Sequence, residues 1–197
     1  MDSLLGLVIA GLALAGSPGP SNISLAAVAA AFGPRRSLGY MAGIVLGMVL
    51  VMAVTASGVT GMVLAVPGAT QLVTLLAAAY FAYLAWRIAT APPLSRDSGD
   101  RREPTFAAGL LLALVNPKGY AAMAALFSGF VLLGDRVVLD AAAKLGVLAV
   151  IVLLVNVAWL YAGAALTRQF RDPRMSRVIN VTFAVLLLAS VALALLV

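Results

Sequence analysis

The sequence contains no cysteine and no histidine, and it has few acidic residues. Among 197 residues there are seven Asp or Glu. The missing thiols exclude disulfide bonds and thiol redox relays. Without thiols or imidazoles, the usual ligands of zinc, copper and iron–sulfur centres are also missing. We therefore expect neither a metal site nor a cofactor.

Charged residues of any kind are scarce, whereas apolar residues dominate. Hydrophobic residues make up 63% of the chain, charged residues make up 10%, and the mean hydropathy is +1.10. Several separate apolar runs exceed the roughly 18 residues that indicate a membrane span. A single water-soluble core does not account for so many long runs. The composition predicts an all-α integral membrane protein whose partner is the lipid bilayer.

The net charge of +6 and the pI near 10.3 are compatible with nucleic-acid binding or with membrane topology. The arginines lie between the apolar runs, where basic residues mark the cytoplasmic loops of membrane proteins. We therefore predict no nucleic-acid partner.

Two proline-containing stretches interrupt apolar runs near their middle. Pro18-Gly19-Pro20 lies about 21 Å along the first run, and Lys118 of Asn116-Pro117-Lys118 lies about 18 Å along the fourth. Both are near the midplane of a hydrocarbon core about 30 Å thick. Proline lacks a backbone donor, so each helix should break and free backbone groups that must face protein or a cavity. Paired breaks of this kind indicate the binding site of a transporter.

The apolar runs predict six transmembrane helices, of which helices 1 and 4 are broken. Residues 1–90 form the first three-helix repeat, residues 91–105 a cytoplasmic linker, and residues 106–197 the second repeat. An odd number of spans in each repeat places the two repeats in inverted orientation. The expected spans are 4–32, 38–66, 69–89, 106–133, 139–166 and 178–197.

The basic residues predict the orientation of these spans. If alternate loops share a side, only Arg136 and Lys144 lie on one side, and ten arginines lie on the other. The positive-inside rule makes the side with ten arginines cytoplasmic, so both termini are expected outside. The ten are Arg35, Arg36, Arg87, Arg96, Arg101, Arg102, Arg168, Arg171, Arg174 and Arg177.

Several motifs together resemble the lysine-exporter superfamily, and within it the homoserine/threonine efflux branch. They are the early Pro-Gly-Pro, the ladder Gly39/Gly43/Gly47, Ala79-Tyr80 through Trp86, and Phe106-x-x-Gly109 followed by Asn116-Pro117-Lys118. The resemblance implies a bacterial inner-membrane exporter of amino acids or related zwitterionic metabolites. It further implies a homodimer driven by an ion gradient, and a transporter rather than an enzyme.

Lys118 is the leading candidate for a functional residue. A lysine at the centre of a membrane helix costs about 2.5 to 3.5 kcal/mol, so its retention indicates a role. One role is recognition of a substrate carboxylate, assisted by backbone amides where the helix restarts after Gly19-Pro20. The other role is structural, with the ammonium capping carbonyls freed by Pro117.

Three asparagines in the spans are candidates for neutral hydrogen bonds to a zwitterion or for bonds between helices. The ladder Gly39/Gly43/Gly47 indicates close helix packing, with lining of a substrate path as the alternative. No catalytic residue is predicted. The predicted substrate-binding set is Lys118, Asn116, Pro117, Pro18, Gly19, Pro20, Asn22 and Asn156.

Two functions of other classes remain open from the residues. An intramembrane hydrolase would pair Ser17 or Ser128 with Lys118 as a base, although no acid accompanies them. A membrane scaffold without transport would leave both breaks without a purpose.

Ion coupling is predicted to involve Lys118. All seven acidic residues are placed in termini or loops, so Lys118 is the only mid-membrane group with accessible acid–base chemistry. We therefore expect substrate binding and protonation to be linked at this residue. A loop acid, Asp135 or Asp140, or a backbone ion site is the alternative.

Overall fold

The computed structural model describes residues 2–58, 104–134, 136–165 and 172–196, with a few positions between 68 and 90. The described part of the chain is helical. Its helices are α1 (Asp2–Gly16), α2 (Pro20–Phe32), α3 (Pro34–Ala56), α4 (Phe106–Leu114), α5 (Pro117–Gly129), α6 (Val137–Ala165) and α7 (Pro173–Leu196).

Both predicted breaks are present. The pair α1 and α2 bends by 58° between Gly16 and Pro20, and the pair α4 and α5 bends by 59° between Leu114 and Pro117. Pro20 and Pro117 occupy the first turn of the helix that follows each break. A proline is tolerated there because its missing N–H would have no partner inside the helix.

Two helices, α3 and α6, are long and apolar enough to cross a membrane, and each bent pair meets the same test when its two helices are taken together. The described residues therefore contain up to four spans. The arrangement of six spans in two inverted repeats stays a prediction. The third expected span, the linker and several arginines fall mainly outside the described residues: 69–89, 91–105, Arg87, Arg96, Arg101, Arg102, Arg168 and Arg171.

Each long helix packs against the broken pair of the other half. Helix α3 contacts α4 and α5, α6 contacts α1 and α2, and α3 also contacts α2 and α6. Helix α2 is the most enclosed, because every residue from Pro20 to Ala30 is buried. The backbone groups at the start of α2 are therefore surrounded by protein. This is needed because the core of a bilayer has no water to bond them.

Glycines make the crossing of α3 and α4 possible. A Cβ on Gly43 would meet the Phe106 carbonyl oxygen, and one on Gly109 would meet the Tyr40 carbonyl oxygen. Gly47 lies close to Ala113, but no atom of the described residues lies within 4 Å of a Cβ built on Gly39. The packing interpretation of the glycine ladder is therefore supported for Gly43 and Gly47, and among the described residues it has no support at Gly39.

We predict that Gly43→Ala lowers the thermal unfolding midpoint of the purified protein in detergent, because a methyl group here forces α3 away from α4. Overpacking of this kind typically costs about 1 to 3 kcal/mol. Gly39→Ala is the matched control, on the same helix and with the same change of residue. Equal midpoints for the two variants would contradict the crossing described above.

Candidate functional site

The break between α1 and α2 frees carbonyl groups that receive side-chain donors. Proline at two of the next positions removes the backbone N–H groups that would otherwise pair with them. The Asn22 amide nitrogen donates to the carbonyls of Ala15 (2.7 Å) and Ser17 (3.0 Å). Trp159 on α6 donates its indole N–H to the Gly16 carbonyl at 3.2 Å. The break is thus stabilised partly by α2 itself and partly by the other half.

Lys118 supplies the remaining donors at the same break. Its Nζ donates to the Ser17 carbonyl (2.9 Å), the Ser17 hydroxyl (2.7 Å) and the Pro18 carbonyl (3.0 Å). An ammonium has three N–H donors, so all three are engaged. We call these bonds the Lys118 link. They join α5 of the second half to the break of the first half.

The link settles what Lys118 caps. The structural alternative had the ammonium on carbonyls freed by Pro117, in its own helix. That placement is wrong, because the ammonium instead reaches carbonyls about 100 residues away, at Ser17 and Pro18. Pro117 turns the chain so that Lys118 starts α5 facing the other break.

Gly19 makes room for the lysine side chain. A Cβ on Gly19 would lie 2.8 Å from both Cδ and Nζ of Lys118. The backbone of Gly19 is extended, with φ −163°, a conformation that any residue adopts. The glycine is therefore needed for space and not for conformation.

The second break is tied to α2 by Asn116. Its side-chain amide nitrogen donates to the Ser21 hydroxyl at 2.9 Å. Its backbone carbonyl accepts from the backbone amide of Gly119 at 3.0 Å. Asn116 precedes α5 without a side-chain cap bond to that helix. Its side chain thus bonds across to the other half.

A cavity of about 50 Å³ lies between the breaks and α6. Five predicted site residues line it, namely Gly19, Asn22, Asn116, Lys118 and Asn156. The three prolines of the predicted set, Pro18, Pro20 and Pro117, are not among its lining residues and instead shape the breaks. The lining also includes residues that sequence reasoning missed: Leu14, Ala15, Ser21, Ile44, Met48, Gly119, Ala122, Met123, Val152 and Val155.

Most of the missed residues are small or apolar and carry no chemical signal in the sequence. Ser21 is the exception, because it follows Pro20 in the first turn of α2 and its hydroxyl accepts a hydrogen bond from the Asn116 amide. Gly19 and Ser21 both line the cavity, so α2 begins beside it.

The contacts of Ser17 do not fit a nucleophile. Its hydroxyl donates to the Leu14 carbonyl at 2.9 Å and accepts from Lys118. Activation by a lysine base requires the opposite direction, in which the hydroxyl donates to the amine. The other candidate, Ser128, donates to the Ala124 carbonyl within α5 at 2.7 Å.

A second buried lysine lies nearer the start of α6. Lys144 pairs with Asp140 at 2.6 Å, and both residues are buried. Lys144 donates to two carbonyls at the end of α5, and Asp140 accepts from two amides of the following loop: Phe127, Phe130, Leu132 and Leu133. The expectation that Asp140 lies in a loop is wrong. Its spacing of four residues from Lys144 was the available signal for a pair on one helix face.

Comparison with known proteins identifies the family. The family model described as "LysE type translocator" matches residues 12–197. A "Cysteine/O-acetylserine efflux protein" of Escherichia coli O139:H28 (strain E24377A / ETEC) is 33% identical over 173 residues, covering 87% of both chains. The proteins of that name from Escherichia coli (strain K12) and Shigella sonnei (strain Ss046) are each 33% identical over 172 residues, covering 87% of this chain and 86% of theirs.

No solved structure matches this chain. The family match spans nearly the whole sequence, and the relatives that it resembles are efflux proteins. The chain therefore belongs to the LysE type translocator family and is a membrane transporter, not an enzyme.

Proposed function

We propose that the protein exports small zwitterionic amino acids, of the size of cysteine or O-acetylserine, and that Lys118 binds the substrate carboxylate. The observation that carries the proposal is the position of the Lys118 ammonium, which lines a cavity at the meeting point of both helix breaks. The names of the relatives support the substrate class.

A carboxylate can replace the present acceptors of Lys118. These acceptors are two carbonyls and a hydroxyl, all neutral. A hydrogen bond between two charged groups is roughly twice as strong as one between neutral groups. Since all three N–H donors are engaged, a bound carboxylate must take at least one of them from the Lys118 link.

One of the acceptors that Lys118 would release remains hydrogen-bonded. The Ser17 carbonyl keeps its bond from the Asn22 amide. Release of this carbonyl therefore avoids the cost of an unpaired buried polar group, about 1 to 3 kcal/mol.

The same exchange suggests how binding moves the protein. The Lys118 link joins the two halves, so a substrate that loosens it frees one break to move relative to the other. Movement of one half of a transporter against the other around a central site is the usual basis of alternating access. Substrate occupancy would in this way be coupled to opening.

For ion coupling we propose linkage to a proton at Lys118. A neutral amine cannot attract a carboxylate as an ammonium does, so the protonation state of Lys118 and substrate binding would be linked. Asp140 with Lys144 is the competing acid–base pair, but each of its members already holds two backbone groups. That pattern favours a structural role for the pair.

We further propose a bacterial inner-membrane location, six spans in two inverted repeats, and both termini outside. The reciprocal packing of each long helix on the opposite broken pair and the similar bends of 58° and 59° support the repeats. The homodimer is supported by the family resemblance alone.

We predict that Lys118→Met loses export while the protein still folds. Hydrogen bonds to charged groups contribute about 1.5 to 3 kcal/mol, so kcat/KM should fall by at least about tenfold. The measurement is amino-acid flux in proteoliposomes, with the unfolding midpoint as the check on folding. Ser17→Ala is the matched control, because it removes one acceptor and keeps the ammonium, so its flux should stay within about threefold of wild type.

Wild-type protein provides a second arm that does not depend on the variant. The methyl ester of the substrate lacks the carboxylate and should compete at least about tenfold more weakly than the free amino acid. Wild-type flux in Lys118→Met, or equal competition by the ester, would contradict carboxylate binding at Lys118.

We predict that Lys118→Arg binds substrate but loses its response to an imposed pH gradient, because arginine cannot deprotonate. Substrate movement in proteoliposomes measures the response, and Asp140→Asn is the comparison variant. A full response in Lys118→Arg, or transport driven by sodium alone in wild type, would rule out this coupling. If only Asp140→Asn loses the response to the pH gradient, Asp140 and not Lys118 is the coupling group.

We predict that reporter fusions after Ala91 and after Arg171 report the cytoplasm, and that a fusion after Val197 reports the outside. The prediction follows from the distribution of basic residues. A cytoplasmic signal at Val197 would contradict both the six-span arrangement and the inverted repeat.

A further inference from the structure

Two buried oxygen atoms of the described residues belong to the cavity lining and have no hydrogen-bond donor. They are Oδ1 of Asn116 and Oδ1 of Asn156. The third such atom in the described part of the chain, Oγ1 of Thr55, is near the end of α3, and Thr55 is not part of the lining. An unpaired buried acceptor typically costs about 1 to 3 kcal/mol. Two such acceptors around one cavity form a place where a ligand can supply the donors.

Both amides donate to the protein through their nitrogen atoms, and the carbonyl acceptor of Asn156 fixes the orientation of that amide. Asn116 donates to the Ser21 hydroxyl at 2.9 Å, and Asn156 donates to the Val152 carbonyl at 2.8 Å. An amide that donates through Nδ2 to the protein leaves Oδ1 as its acceptor. Each residue is at least 95% buried, so neither oxygen has bulk water as a partner.

Asn22 differs from these two residues. Its nitrogen bonds two carbonyls of the first break, and its Oδ1 is not among the buried atoms without a partner. Asn22 is therefore accounted for by the break, although the sequence had grouped it with the other two asparagines.

We propose that Oδ1 of Asn116 and Oδ1 of Asn156 accept hydrogen bonds from the substrate's α-ammonium, a role that rests on the proposed function. In an α-amino acid a single carbon separates the ammonium from the carboxylate. Both groups must therefore bind within one small space, and Lys118 lines the same cavity of about 50 Å³. The carboxylate goes to Lys118 and the ammonium to the two amide oxygens.

The charges at the cavity favour a zwitterion over a bare cation. None of the residues that line it is Asp or Glu, and Lys118 contributes a positive charge. A metal cation would meet that charge with only neutral oxygens to oppose it. A zwitterion brings its own carboxylate, so no additional charged side chain has to be buried.

The arrangement predicts selection for a free amino group. When a substrate lacks the group that a buried acceptor requires, the acceptor stays unpaired and the substrate is rejected. Carboxylic acids with the same side chain but without the ammonium should therefore bind poorly. The side chain itself would meet the apolar part of the lining, which includes Met48, Met123 and Val155.

The test compares L-cysteine with 3-mercaptopropionate, which keeps the thiol and the carboxylate and lacks the ammonium. Each compound competes against labelled L-cysteine in counterflow by the purified full chain in proteoliposomes under reducing conditions. In wild type, 3-mercaptopropionate should compete at least about tenfold more weakly than cysteine. Equal competition in wild type would overturn the proposal without any variant.

Variants then assign the preference to the two oxygens. In Asn116→Leu and Asn156→Leu, competition by cysteine should weaken at least about tenfold, whereas 3-mercaptopropionate stays within about twofold of wild type. The ratio between the competition by cysteine and the competition by 3-mercaptopropionate should therefore approach one. Asn156→Asp keeps an oxygen acceptor and should retain the preference, which serves as the matched control if a leucine variant fails to fold.

Other outcomes overturn the proposal. If Asn156→Leu weakens both compounds equally, or if Asn156→Asp abolishes the preference, the amides are structural. If Asn156→Leu keeps the preference and removes a sodium requirement, the oxygens hold a metal ion. Absence of cysteine counterflow in wild type would instead contradict the proposed function, which separates the two failures.

Discussion

The bonds from the Lys118 ammonium to the carbonyls at Ser17 and Pro18 are the interaction on which the rest of the site depends. A helix broken inside a bilayer exposes carbonyls that lipid cannot satisfy. In this fold the donors come largely from the opposite half: Lys118 and Trp159 serve the first break, and Asn116 reaches Ser21. The second half therefore completes the hydrogen bonding of the first break, and the cavity forms where the two halves meet.

Both lysines of the sequence are partly or fully buried, and their partners distinguish their roles. Lys144 faces a carboxylate at 2.6 Å and two carbonyls at the end of α5. Removing one member of such a pair leaves an uncompensated buried charge. The pair is therefore suited to a structural role, in which it holds the end of α5 against α6. Lys118 faces only neutral acceptors, one of them on an exposed residue. An ammonium held in this way can exchange its acceptors for a carboxylate.

Part of this architecture follows from local chemistry and could be predicted from the sequence. Proline lacks an N–H wherever it lies, so the breaks at Pro18 and Pro117 follow from position within an apolar run. The acceptors of Lys118 could not be predicted, because Ser17 is 101 residues away and only packing brings them together. For the same reason Gly39 and Gly43 look equivalent in the sequence, although among the described residues only Gly43 of the two meets another helix.

The central claim is that a substrate carboxylate takes Lys118 from the first break, and Trp159 offers a direct measurement. The sequence has two tryptophans, and the indole of Trp159 bonds the Gly16 carbonyl beside the Lys118 link. With Trp86→Phe, the emission of Trp159 alone can be followed during titration with O-acetyl-L-serine, which has no thiol to quench it. The account predicts a saturable change that is absent with the methyl ester and absent when Lys118→Met is added. The same change with the ester, or in the Lys118→Met protein, would contradict it.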